Sequence, residues 1–91
     1  MQDAPSSSET AADLPFHVYR SRLGNLPVYT DTRLGGSKKV TIVRKYAGDV
    51  ADLGYRLQRL CDKPVTQFHG RLEVKGHHKQ KVEEWLTSLG F

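Results

Sequence analysis

The chain has 91 residues, 37% of them hydrophobic, and 14 Lys and Arg against 10 Asp and Glu give it a formal charge of +4. That length supports one domain with a modest core, and the single cysteine, Cys61, excludes an intrachain disulfide and fits a reducing compartment. No apolar run approaches the roughly 18 residues of a membrane span, so a membrane is not expected as a partner.

Charge is unevenly divided along the chain. Residues 1–15 contain Asp3, Glu9 and Asp13 and no basic residue, so residues 16–91 carry all 14 basic side chains against seven acidic ones, a formal +7. A small basic domain favours a polyanion as partner, nucleic acid first, against the plainer alternative of a basic solvated surface. Residues 1–13 are rich in Ser, Ala and acid, which predicts a disordered acidic N-terminal tail ahead of a single basic domain over residues 14–91. The tail has neither the apolar segment of a secretory signal nor the Arg-rich, acid-poor character of a mitochondrial presequence.

Residues 14–22 predict a first strand, with Phe16 and Val18 on one face and His17 and Tyr19 on the other. Gly24-Asn25 is a turn signal. Residues 26–32 predict a second strand, for which Pro27 suggests an edge position or an irregular entry. Gly35-Gly36 then reads as a hairpin loop that returns the chain antiparallel. Residues 38–46 follow as the strongest strand. Val40, Thr41, Ile42 and Val43 are all β-branched, and Lys38, Lys39, Arg44 and Lys45 bracket them.

Gly48-Asp49 ends that strand and starts a helix, with Asp49 as the cap and Asp52 adding negative charge to its first turn. Val50, Leu53, Leu57, Leu60 and Cys61 share one helical face. Gly54, close to that stripe, suggests a near approach of helix and sheet at a propensity cost of about 1 kcal/mol. Asp62-Lys63-Pro64 stops the helix. Residues 65–76 alternate as one half-buried strand, or as two strands broken at Gly70. Phe68, Leu72 and Val74 take one parity, and Gln67, His69, Arg71, Glu73 and Lys75 take the other. Val82, Trp85, Leu86 and Leu89 form the apolar stripe of a last helix. Gly90 and Phe91 fit the end of a Schellman motif, with Phe91 packed back on Leu86.

This order predicts an α+β fold: a two-layer sandwich in which a mostly antiparallel sheet carries two helices packed on one face. The other face of the sheet stays open. With Val40 and Ile42 assigned to the core, that open face presents Lys39, Thr41, Val43 and Lys45. With Phe68, Leu72 and Val74 inside, it also presents Gln67, His69, Arg71, Glu73 and Lys75. Lys38 and Arg44 reach outward from the strand ends. Lys38, Lys39, Arg44, Lys45, Arg71 and Lys75 are therefore the candidate RNA-binding residues, acting on phosphates. Without paired aromatics for base stacking, the face suits backbone and shape contacts with folded RNA.

No catalytic set is legible. His69, His77, His78 and Cys61 lack the spacing of metal ligands, no cofactor or small-molecule substrate is implied, and Gly35-Gly36-Ser37-Lys38 lacks the spacing of a phosphate loop. Cys61 reads as an inert buried thiol and Trp85 as core.

Several segments nevertheless resemble one family. Residues 25–31 (Asn-Leu-Pro-Val-Tyr-Thr-Asp), Gly35-Gly36, Thr41 with Arg44-Lys45, and Gly48-Asp49 are similar to the mitochondrial ribosomal large-subunit protein family "forty-nine". So are Val74-Lys75-Gly76 and the ending Glu84-Trp85-Leu86 through Gly90-Phe91. The resemblance covers residues 14–91. It implies a structural, non-enzymatic component of the mitochondrial large ribosomal subunit, located in the matrix among ribosomal RNA and neighbouring large-subunit proteins. A fainter similarity, through Lys75-Gly76-His77 and the helix ending at Gly90, runs to SUI-type initiation factors. It implies the same two-layer architecture and, as an alternative, a module that visits the small ribosomal subunit.

Overall fold

The computed structural model describes residues 11–91, so residues 1–10 of the expected tail lie outside the described residues. The last three tail residues, Ala11–Asp13, form one 3-10 turn whose Ala11 N–H donates to the Leu89 carbonyl at 2.6 Å. Then come β1 (Phe16–Val18), β2 (Val28–Arg33), β3 (Lys38–Arg44), β4 (Tyr46–Gly48), α1 (Val50–Cys61), β5 (Val65–Phe68), β6 (Arg71–Lys75) and α2 (Lys79–Ser88). Strands β2, β3, β6 and β5 form, in that order, a four-stranded sheet that is antiparallel throughout, and β1 pairs with β4 in a separate two-stranded sheet. Pro27, just ahead of β2, does lead into an edge strand.

Both helices pack on one face of the larger sheet. Leu53 and Leu57 of α1 and Val82 and Leu86 of α2 share a core with Val28, Val43, Leu72 and Val74. Phe16 and Val18 of β1 complete that core, so the small sheet closes one side of it.

The strand expected over residues 38–46 is broken at Lys45, which takes φ +52, a left-handed conformation that an L residue adopts at a cost. The Lys45 carbonyl accepts from the Tyr19 N–H at 2.8 Å, so the kink moves the chain from the large sheet to its pairing with β1. Gly48 completes this turn. It has φ +91, and a Cβ there would stand 2.5 Å from the Pro15 carbonyl oxygen, so only glycine fits.

Asp49 then caps α1 by accepting from the Asp52 N–H at 3.1 Å. Gly54 is a different case. A Cβ at that position would meet Val65 Cγ1 at 3.8 Å, an ordinary contact, so the expected close approach does not require glycine. Gly54→Ala is accordingly expected to stabilise the domain by about 0.5–1 kcal/mol through helix propensity. A higher urea midpoint at unchanged slope would confirm this, and a lower one would mean that α1 and β5 sit closer than this spacing.

The end of α2 has Schellman geometry. The Phe91 N–H reaches the Leu86 carbonyl at 3.1 Å and the Gly90 N–H reaches that of Thr87 at 3.0 Å, with Gly90 at φ +102. The Phe91 ring comes to rest 5.9 Å from that of Phe16.

Two strands face the opposite way from the sequence expectation. In β3, Thr41 and Val43 point at the helices and are fully buried, and Val40 and Ile42 take the open face. Four consecutive β-branched residues offer an apolar set on either parity, so their alternation carries no phase. Thr41 is acceptable inside because its hydroxyl is satisfied. Oγ1 donates to the Gly76 carbonyl at 2.8 Å and accepts from the His78 N–H at 2.7 Å.

Residues 65–76 form two strands joined at His69-Gly70, with Gly70 at φ +77. Because Phe68 pairs with Arg71 and Gln67 with Leu72, the two-residue turn reverses the parity of β5 relative to an unbroken strand. Gln67 therefore faces the helices and Phe68 the open side.

Candidate nucleic-acid interface

The registers of the four-stranded sheet order the open face into rows that run across the strands at about 4.8 Å per strand. One row is Phe68, Arg71 and Arg44. The next is Thr66, Glu73, Ile42 and Tyr29, then Lys75, Val40 and Asp31, and finally Lys38 with Arg33. Cations thus gather at both ends of the face, and the middle holds the Glu73 and Asp31 carboxylates beside Ile42, Val40, Thr66 and the Tyr29 ring. Lys38 and Arg44, at opposite ends of β3, are about 20 Å apart at the usual strand rise.

Glu73 organises the centre. Its side chain is only 6% exposed, and three N–H donors converge on its carboxylate. Arg33 reaches it from β2 with a two-pronged grip at 3.0 and 2.9 Å, and Arg71 Nε adds a third bond at 2.8 Å. Arg33 also donates from Nε to Asp31 at 2.9 Å, and the Arg71 guanidinium lies over the Phe68 ring, 4.4 Å from its centre. The hydrogen bonds from Arg33, and then those from Arg71, hold the Glu73 carboxyl at a pKa of about 2, against the opposing effect of burial. The same bonds push Arg33 further towards its charged form.

The expected site residues separate into groups. Lys38, Arg44, Arg71 and Lys75 stand on the open face, Lys38 and Arg44 by sharing the parity of Val40 and Ile42 rather than by reaching outward from the strand ends. Arg71 is committed to Glu73 and Phe68, whereas Lys38, Arg44 and Lys75 make no ion pair among the described residues. Lys39 shares the helix-side parity of Thr41 and Val43 and lies at the end of the sheet, paired with Thr32. Lys45 is outside β3, at the kink. Neither belongs to the open face, because the phase of β3 is the reverse of the one expected and its regular backbone stops at Arg44.

Sequence reasoning missed Arg33 and two exposed aromatic rings, Tyr29 and Phe68. The alternation of Tyr29, Asp31 and Arg33 along β2 was the available signal for the first two. The two-residue turn at Gly70 was the signal for Phe68. The rings occupy opposite edge strands, which lie about 14 Å apart, and stand in different rows, too far to stack neighbouring bases as one platform. Phe68 instead walls a groove of about 440 Å³ together with Lys38, Val40, Thr66, Glu73 and Lys75. Val40, 3% exposed, lies in its floor.

The remaining candidates for chemistry do not converge. His77 Nε2 lies 3.3 Å from the Asp31 carbonyl oxygen and His78 Nε2 lies 3.0 Å from that of Lys75. Among the described residues no three His, Cys, Asp or Glu side chains group together. Cys61 is buried, and burial pushes its thiol upward, away from the reactive thiolate. What the open face offers is a set of unpaired cations held on a rigid sheet, suited to phosphate oxygens.

The family described as mitochondrial large subunit ribosomal protein (Img2) matches residues 14–91. The large ribosomal subunit protein mL49 of Schizosaccharomyces pombe is 36% identical over 91 residues, which span 94% of this chain and 87% of that protein. The Neurospora crassa protein of the same name is 33% identical over 93 residues, 97% of this chain but 56% of that longer protein. A translation factor SUI1 homolog of Methanosphaera stadtmanae is 37% identical over 67 residues, 70% of this chain and 65% of the relative.

Proposed function

The chain belongs to the mitochondrial large subunit ribosomal protein family (Img2), and from that premise we infer that it is a structural component of the mitochondrial large ribosomal subunit. The family match over residues 14–91 carries this reading, because it takes in every strand and both helices. The protein works in the mitochondrion, its partners are ribosomal RNA and ribosomal proteins, and its role is architectural rather than catalytic.

Within that role, Lys38, Arg44 and Lys75 act as phosphate contacts on the open face. Arg33 and Arg71, neutralised in part by Glu73, position the groove between them. Lys39 and Lys45 add positive potential at the margins of the sheet. Sedimentation tests the whole: the protein should remain with large subunits through a salt wash, and recovery only from the free pool would overturn the assignment. The similarity to SUI1 homologs supports one other reading, a factor that visits the small subunit. It predicts a peak with small subunits that disappears at moderate salt.

The phosphate contacts have their own test. Lys38→Ala with Lys75→Ala should weaken RNA binding about tenfold at physiological salt and reduce the slope of log affinity against log salt by about 2. Thermal stability should move by less than about 0.5 kcal/mol, since both side chains are exposed. An unchanged slope in a binding titration would assign this face to protein or solvent.

A further inference from the structure

The helix layer carries a second surface that the open face does not explain. A cleft of about 460 Å³ is lined by Asp52, Tyr55, Arg56, Arg59 and Leu60 of α1 and by Trp85 of α2. No sheet residue contributes to it. The α1 residues follow helical spacing on a stripe beside the buried one of Leu53 and Leu57, so the cleft opens away from the sheet.

Its side chains are oriented in advance. Tyr55 is 57% exposed, yet its hydroxyl accepts from Arg59 at 3.0 Å and the Arg59 guanidinium stands 5.7 Å from its ring centre. Arg56 donates from Nε to Asp52 at 2.7 Å and lies 5.9 Å from the Phe16 ring, and the same ring is 6.3 Å from that of Trp85. Arg59 forms no ion pair among the described residues, and most of its five N–H donors remain open to a phosphate.

We propose that this cleft is a second RNA-contacting site that takes one unpaired nucleotide, with its base against Tyr55 and Trp85 and its phosphate on Arg59. Three features favour that occupant over a protein segment. Arg59, which makes no ion pair among the described residues, gives the cleft an uncompensated positive charge, which suits a polyanion. An exposed phenol ring and an indole offer flat surfaces for a base of any identity. Leu60 is the single aliphatic side chain in the lining, so a partner helix would find few apolar contacts. Because sheet and cleft lie on opposite layers, the domain would join two RNA segments, a paired region at the sheet and an unpaired nucleotide at the helices. The inference rests on RNA being the partner of this chain.

Trp85 is the only tryptophan in the sequence, so its fluorescence reports on the cleft. A single-stranded adenylate hexamer titrated into the full chain should quench Trp85, and a matched RNA duplex should not. Tyr55→Ala should shift that titration about tenfold towards weaker binding, as should Arg59→Ala at low salt. Absence of quenching, equal quenching by the duplex, or a titration unmoved by Tyr55→Ala would overturn the proposal, as would a crosslink from Tyr55 to a protein in the assembled subunit. Any of these alongside intact co-sedimentation would leave the ribosomal assignment standing and remove only the cleft.

Discussion

Replacing Thr41 by Val is expected to destabilise the domain by about 2–3 kcal/mol although the two side chains have nearly the same shape. The methyl groups lose nothing, since Thr41 is already fully buried among the core strands. The hydroxyl is what matters. It donates to the Gly76 carbonyl and accepts from the His78 N–H, at 2.8 and 2.7 Å, so its removal leaves a backbone acceptor and a backbone donor without their partner. Those groups lie in the connection from β6 to α2, where the Gly76 N–H also donates to the Lys39 carbonyl at 2.7 Å. Gly76 cannot relax easily. It holds φ +94, and even a Cβ there would sit 2.7 Å from His78 Nε2. Loss of the hydroxyl therefore loosens the step that aims Val82 and Leu86 of α2 into the core. For a domain of this size the melting temperature should fall by about 10–20 °C. Thr41→Ser, which keeps the hydroxyl and loses one methyl, should recover part of that fall. If Val at this position melted with the parent, the connection would be held by packing alone.

Thr41 also marks where the sequence stops being legible. The element types, the Asp49 cap, the Schellman end and both helical stripes follow from local chemistry: a carboxylate before a helix, a glycine after one, an apolar period of 3.6. The phase of a strand is not local when both of its faces are apolar. Val40 and Ile42 offer the core as much as Thr41 and Val43 do, and the choice is made by register with Leu72, Val74 and Val28 on neighbouring strands. The hydroxyl even argues for the wrong face until its two backbone partners are known. Phe68 was misplaced for a related reason. A two-residue turn at Gly70 preserves cross-strand pairs while inverting alternation, and an aromatic residue just before it changes sides. The candidate site was legible to a similar degree. Arg71 and Lys75 reach the open face through a correct β6 phase, whereas Lys38 and Arg44 stand there because β3 has the reverse phase, which turns Lys39 away, and Lys45 lies beyond the end of the strand. The Arg33–Glu73 pair spans forty positions of sequence and could not be read from either segment alone.

That pair yields a result in which stability and RNA binding should move in opposite directions. Glu73→Gln retains the shape of the side chain but replaces a charged acceptor of three N–H bonds with an amide that can accept at only one atom. Arg33 and Arg71 are each about a third exposed and can recover water, which limits the cost to about 2 kcal/mol at neutral pH. The pH dependence identifies the carboxylate as the cause. Its pKa is lowered on folding from the ordinary 4.5 to about 2, so the folded state resists protonation more than the unfolded chain does. The stability it contributes is complete above about pH 4.5 and is lost as the pH falls towards 2. Denaturation curves for parent and variant should therefore stand apart at pH 7 and converge on acidification. Removing the carboxylate also takes away the counter-charge shared by Arg71 and Arg33, of which only Arg33 keeps a second carboxylate, Asp31, so the variant should bind RNA more tightly and with a steeper salt slope. A variant that lost stability and RNA affinity together would indicate that Glu73 positions the groove for its ligand. A gain in affinity from a less stable protein would mean that the carboxylate stabilises the fold while moderating the charge the sheet presents to phosphate.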